Sequence, residues 1–161
     1  METAFHRTPL GIARITGEDD FITSIYLLDG EYDIRPPETL LLKMAVLQFD
    51  EYFAGERRVF DLPIKQKGSA FQHRVWDQLV KIKYGSTISY LQQAKLMNNP
   101  LGIRAIASAN GKNNLVIVVP CHRVIGSDGS LTGFGAGIWR KKWLLEHEAR
   151  VMGTGQTKLD F

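Results

Sequence analysis

The stretch "VVPCHRVIG", residues 118–126, holds the single cysteine of the 161-residue chain, Cys121, with His122 next to it. A cysteine attacks as its thiolate, and an ordinary thiol is mostly protonated at neutral pH. A histidine that accepts the proton, itself oriented by a carboxylate, supplies the activation. Adjacent side chains on a strand point to opposite faces, so direct contact between Cys121 and His122 is not assured and a bridging water is one route. The carboxylate candidates are Glu146 and Glu148. If Leu144 and Leu145 face the core on a final helix, Glu148 lies on their face, while Glu146 points roughly 150° away at about 100° per residue. An inward carboxylate needs a partner, which His122 or Arg123 could provide. Two plainer readings stay open on these residues alone. A buried cysteine can simply fill space, and it can ligate a metal, although one Cys beside one His is not a closed ligand set.

The elements that must position these groups divide near residue 67, into residues 1–66 and 67–161. Residues 11–28 read as two strands about the polar turn 17–20, and "EYDIRPPE" as a loop. Leu41, Met44, Ala45, Phe49 and Phe53 mark a helix over 38–54 that ends at Gly55. A short strand is expected over 59–65. Beyond the boundary, Phe71, Val75, Leu79 and Ile82 mark one face of a helix that ends by Gly85. "SYLQ", 89–92, is a capping box, with Ser89 as the cap and Gln92 reaching back. In "NNPLGIRAIASANG", 98–111, Asn99 reads as a cap, Pro100 as the first helical residue and Gly111 as the stop. Two short helices joined by a tight turn form a helix-turn-helix arrangement. The second would be the recognition helix, with Arg104 its one basic residue and Ala105, Ala107, Ser108 and Ala109 all small. Small side chains let a backbone approach DNA closely but read few base edges. "LVIVV", 115–119, reads as a buried strand. The glycine-rich run 126–137 reads as a hairpin or wing with a tight loop, and 139–150 as the last helix.

Charge is uneven. Residues 1–65 carry seven Lys and Arg against twelve Asp and Glu, whereas 66–161 carry thirteen against five. A basic C-terminal part suits a polyanion. No run is apolar enough to span a bilayer, the N-terminus lacks signal-peptide character, and a lone cysteine suits a reducing, intracellular setting.

The string "PCHRVIGSDGSLTGFGAGIWRKKWLLEHE", 120–148, with "YGSTISYLQQA" and "RAIASANGKNN" upstream, closely resembles the active-site region of the O6-alkylguanine-DNA alkyltransferases. The resemblance covers 70–150 well and the first 65 residues loosely. It implies an α/β N-terminal domain with a small sheet, followed by a mainly α C-terminal domain with a winged helix-turn-helix. It also implies irreversible alkyl transfer from O6 of guanine in DNA to Cys121, with O4-alkylthymine as a second candidate substrate. Among catalytic residues, His122 would deprotonate Cys121 through a water, Glu148 would hold His122, and Asn113 would brace the site. Tyr90 would help rotate the nucleotide and donate to guanine N3. Arg104 would fill the space the base vacates in the duplex. The DNA-contact set would be Arg104, Tyr90, Ser89, Ala105, Ser108 and Arg123, and the base pocket Val124, Phe134, Gly135 and Ala136. The implied partner is double-stranded DNA containing O6-alkylguanine, bound by a cytoplasmic monomer with no membrane contact, no cofactor and no metal.

Two departures from the family pattern stand out. Phe134-Gly135 stands where a tyrosine and a small residue are usual, which bears on pocket width. Asn113-Asn114 replaces Asn-Pro and is expected to loosen its loop. Damage-binding relatives of this family lack the cysteine, a winged-helix regulator would not need Cys, His and Glu together, and a Cys-His hydrolase would need an oxyanion hole that the sequence does not signal. Trp139 and Trp143 read as packing residues, and Arg140, Lys141 and Lys142 as a solvated basic face. The tail 153–161 is expected to be flexible or lightly docked, with no function assigned.

Overall fold

Strands β1 (Glu2–Thr8), β2 (Gly11–Glu18) and β3 (Phe21–Leu28) form an antiparallel sheet in that order. They belong to a computed structural model in which residues 1–153 are described. The expectations for residues 154–161 of the tail lie outside the described residues. β2 and β3 are the two expected strands. Their turn is Asp19 (φ 52°) and Asp20 (φ 65°) between the paired Glu18 and Phe21, the left-handed backbone of a two-residue hairpin, which Asp tolerates. β1 is a further strand that the sequence reading does not contain.

Helix α1 (Leu40–Phe53) is capped by Thr39, whose side chain accepts from the Leu42 amide at 3.3 Å. Its buried face is Leu42, Ala45, Gln48, Phe49 and Tyr52, rotated from the expected Leu41, Met44 and Phe53. Gln48 is the reason: its side-chain amide donates to the Asp61 carbonyl and accepts from the Asp61 amide, both at 2.9 Å, so a polar residue goes inside fully satisfied. The strand expected over 59–65 is absent. Ile64 alone bridges to Ile22, and Pro63, which has no N–H to give a ladder, only accepts from the Ile22 amide.

The chain falls into two compact units: Met1–Lys67 with Asn114–Val116, and Gly68–Asn113 with Ile117 onward. Asn114 holds 114–116 in the first unit. Its amide donates to Gln66 Oε1 at 2.9 Å, its side chain accepts from the Tyr26 hydroxyl at 2.7 Å, and its carbonyl accepts from the Ile25 amide at 2.7 Å. A proline could not make the first of these bonds, so Asn114 fastens its segment rather than loosening it.

In the second unit, α2 (Ala70–Leu79) opens with a capping box of Ser69 and Gln72. It stops at Leu79, short of Gly85, and Ile82 is buried from the turn that follows. After β4 (Ile88–Ser89), α3 (Tyr90–Leu96) has the expected box of Ser89 and Gln92. α4 (Ile103–Gly111) begins later than expected, after Gly102 and without a side-chain cap. Asn98 (φ 55°) and Asn99 instead close α3, the Asn99 amide donating to the Ala94 carbonyl. α3 and α4 form the helix-turn-helix and are joined by reciprocal amide bonds between Gln93 and Asn110 at 2.9 and 2.7 Å. The Trp76 indole N–H ties α2 to the Ala109 carbonyl of α4.

Residues 115–119 are not a strand. Leu115 bridges to Ile25, and Ile117 then takes φ 74°, a turn conformation that costs a β-branched residue on the order of 1–3 kcal/mol. β5 (Val124–Ile125) pairs parallel with β4. The glycine-rich run 126–137 is a loop, the wing of this arrangement, and contains no hairpin. α5 (Ile138–Met152) completes the unit and ends at Gly153 in the left-handed region. Among the described residues no helix is long and apolar enough to cross a membrane.

Candidate active site

Cys121 opens a short 3-10 turn, Cys121–Arg123, and not an extended strand. The strained turn at Ile117 feeds it, and Asn113 clamps the two together. Asn113 Nδ2 donates to the Val119 carbonyl at 2.7 Å and to Cys121 Sγ at 3.3 Å. Cys121 is nearly buried, at 8% exposure. Burial pushes the Cys121 thiol up from its ordinary pKa, opposed by the Asn113 hydrogen bond and the charge of Lys141. The resting residue is therefore a thiol that needs a base.

His122 is fully buried, and its Nε2 lies 2.7 Å from Glu148 Oε2. Burial holds the imidazole below its ordinary pKa, against the opposing pull of Glu148, so it is neutral at pH 7. A neutral ring facing a carboxylate through Nε2 carries its proton there. Nδ1 is then the basic nitrogen, and it is buried without a hydrogen-bond partner among the described residues. Glu148 sits on the inward face of α5, at 1% exposure. It accepts from His122, from Arg123 Nε at 2.9 Å, from Arg123 Nη2 at 3.1 Å and from the Gly85 amide at 3.3 Å. Burial alone would raise its pKa, but His122 and then Arg123 overcome this and hold the carboxyl well below the usual range.

Tyr90, the first residue of α3, donates its hydroxyl to the Thr132 carbonyl at 2.9 Å. Burial raises its pKa, the Thr132 bond lowers it, and a charge on Cys121 raises it further. Gly133 follows Thr132 at φ +68°, and a Cβ there would stand 3.1 Å from the Tyr90 hydroxyl. Both its backbone and that approach select glycine.

The structure thus joins Asn113 to Cys121 and Glu148 to His122 by hydrogen bonds at one turn, and Tyr90 lies within reach of the charge on Cys121. Val124 and Phe134 are buried, Ala136 is half-buried and Gly135 is exposed. Arg104, Ala105 and Ser108 line one exposed face of α4, while Ser89 is half-buried and occupied as a helix cap. Arg123 needs correction. It is buried at 6%, paired with Glu148, bonded to the Ile82 carbonyl at 2.8 Å and placed 5.5 Å from the centre of the Tyr84 ring. It is no surface cation for a phosphate.

The basic run is also corrected, because Arg140 and Lys141 are buried and only Lys142 is exposed. Arg140 donates to the Ala136 carbonyl at 2.9 Å, and Lys141 Nζ to the Thr132 carbonyl at 2.8 Å. The signal for Lys141 was present, since it precedes Leu144 and Leu145 by three and four positions and shares their helix face. Trp139 is 54% exposed rather than packed, with the Arg140 guanidinium 4.6 Å from its ring centre, and Trp143 stacks on His147. A groove of about 770 Å³ lies on the sheet of the first unit, lined by Arg14, Thr16, Tyr26, Lys65 and Gln66 among others, and holds none of the residues above.

Residues 70–150 match the family model described as "6-O-methylguanine DNA methyltransferase, DNA binding domain", and residues 1–66 match its "ribonuclease-like domain". The chain is 41% identical to a methylated-DNA–protein-cysteine methyltransferase of Mycolicibacterium paratuberculosis, over 95% of each chain. It is 42% identical to a constitutive one of Bacillus subtilis, over 88% of this chain and 91% of that protein. Its fold is similar to that of the Mycobacterium tuberculosis OGT crystallised in complex with DNA, with a TM-score of 0.84 at 38% identity over 98% of each chain.

Proposed function

The chain belongs to the methylated-DNA–protein-cysteine methyltransferase family, and on that premise we propose that it repairs alkylated DNA by direct reversal, passing the alkyl group from O6 of guanine to Cys121. The observation that carries this reading is a single one. A buried cysteine, held through its sulfur by Asn113, is followed in the same turn by a buried neutral histidine whose other nitrogen is fixed on Glu148. In the transfer, His122 Nδ1 takes the thiol proton through a bridging water. The thiolate attacks the alkyl carbon, so the S–C bond forms as the C–O bond breaks. The electron pair stays with guanine, which takes up a proton from water as His122 gives its proton back to water, so the protons balance. The Tyr90 hydroxyl turns from Thr132 to guanine N3 and stabilises the charge that develops on the departing base, as a positioned donor does. A thioether is a poor leaving group, so each molecule acts once.

The exposed face of Arg104, Ala105 and Ser108 suits a DNA duplex entered without base-edge reading. Arg104 fills the gap left when the damaged base turns out of the stack. Val124, Phe134, Gly135 and Ala136 line the base pocket, and Ser89 flanks the DNA contact. The reading includes a monomer acting in the cytoplasm, in keeping with a lone thiol.

Incubation with excess duplex containing O6-methylguanine, followed by intact mass and peptide mapping, tests it. The expected result is one added methyl on the Cys121 peptide, stopping at one per molecule and absent in Cys121→Ala. Tight binding with unchanged mass would sink the transfer reading.

A further inference from the structure

Lys141 is 1% exposed on α5, and burying an ammonium is costly unless an opposite charge accompanies it. Among the described residues no carboxylate does. Nζ donates to a neutral group, the Thr132 carbonyl, and lies 5.7 Å from the centre of the Tyr90 ring. Its neighbour Lys142 is exposed and reaches Glu146. The titratable groups around Lys141 are Tyr90 from α3 and Cys121 and His122 from the 3-10 turn. Of these, Cys121 alone becomes an anion in the proposed reaction.

The Thr132 carbonyl has two donors. Tyr90 Oη and Lys141 Nζ share it, at 2.9 and 2.8 Å. If the Tyr90 hydroxyl leaves for the base, Lys141 still holds Thr132, and with it Gly133, where a Cβ would stand 3.1 Å from the tyrosine hydroxyl. We propose that Lys141 is a positioning residue of the transfer step: the counter-ion of the Cys121 thiolate and, through Thr132, the anchor that keeps the glycine-rich loop in place when Tyr90 turns to the base. This rests on the transfer reading above.

The electrostatics run the same way from both ends. Burial lowers the Lys141 ammonium to about 8, and a charge on Cys121 raises it. Burial raises the Cys121 thiol, and Lys141 lowers it. The buried charge that is unmatched at rest is thus matched while the thiolate exists. Proton transfer to His122 creates the pair, and formation of the neutral thioether ends it.

Two measurements without DNA test this. The first is the rate of Cys121 carbamidomethylation by iodoacetamide at pH 7, where Lys141 carries its charge. In Lys141→Met that rate should fall about tenfold, the change in thiolate that one pKa unit gives, and Lys141→Arg, which keeps the charge, should restore it. The second needs no lysine variant. NMR titration of the Lys141 Nζ resonance should give a lower pKa in Cys121→Ser than in the natural protein. An unchanged rate in folded Lys141→Met, or equal Lys141 pKa values with and without the thiol, would overturn the proposal. If Lys141→Met does not fold, the second measurement decides alone. On O6-methylguanine duplex, Lys141→Met should slow transfer at saturation roughly tenfold or more, the scale of a group that tunes a reacting ionisation, with duplex affinity unchanged. Because the thiol measurements use no DNA, they can fail while the natural protein still transfers methyl, and the reverse.

Discussion

Cys121 has a buried charge on each side, and the two are held in opposite ways. Glu148 is surrounded by donors, with His122, both ends of the Arg123 guanidinium and the Gly85 amide on its two oxygens. Lys141 has one carbonyl and no carboxylate among the described residues. The first group is balanced before any substrate arrives, so its work is to fix the tautomer and orientation of His122. The second is unbalanced, so it is where a charge made during the reaction finds its partner. A site built for a thiolate that exists only briefly needs both: a permanent pair to hold the base, and an unpaired cation to receive the anion.

The sharpest way to break the comparison is to remove the balanced carboxylate. Glu148→Gln leaves the Arg123 charge buried without its partner, and breaking a buried pair in this way costs on the order of 3–5 kcal/mol. Urea denaturation should show that loss, together with slower methyl transfer. A loss near zero would mean that Glu148 is not a structural pair at all. Next in size is the helix-turn-helix joint. Asn110→Leu strands the Gln93 amide in the core and should cost roughly 1–3 kcal/mol, read by the same denaturation.

Gly133→Ala should cost roughly 1–3 kcal/mol of local strain and push the loop off the Tyr90 hydroxyl. The readout is a reduced transfer rate at saturating duplex with little change in affinity. The smallest effect belongs to Lys142→Ala. That exposed residue meets Glu146 at 3.9 Å, and removing such a pair should change stability by less than about 0.5 kcal/mol. If Lys142→Ala and Lys141→Met behave alike, the distinction between the two lysines fails.

pH separates the two regions by sign. The folded-state pKa of Glu148 lies below its ordinary 4.5, so its contribution is present above that value and is lost as pH falls through the depressed folded value. Lys141 loses its proton near 8 in the folded state against an ordinary 10.5. Between those values the unfolded chain binds more protons, and this group makes the folded state more stable as pH rises. Denaturation midpoints from pH 3 to 10 in Glu148→Gln and Lys141→Met should each lose one of these two slopes. In the activity profile the acid limb should lie below 6.5, because burial holds His122 below that value and its neutral form persists to lower pH.

The pattern of residues along the chain determined what acts within a few positions of itself. The β2–β3 hairpin, the Ser89–Gln92 box and the inward turn of Glu148 on α5 all follow from local hydrogen bonds or helical period, and the structure contains them. The same period placed Lys141 on the face of Leu144 and Leu145, but its charge argued for solvent, and a local pattern cannot weigh a carbonyl nine residues away.

Tertiary structure alone decided the rest. Arg123 looked like a phosphate contact until α5 brought Glu148 to it from 25 positions further on. The segment 115–119 looked like a strand because Val and Ile favour one, yet Asn113 pulls Val119 and the cysteine sulfur into a turn that Ile117 tolerates only at a cost. Asn99 looked like the cap of α4, and the closing bonds of α3 took it first. Sequence determined which groups could react, because chemistry resides in residue types. The fold decided which of them are buried, paired or left uncompensated, because those properties depend on neighbours that only long-range packing supplies.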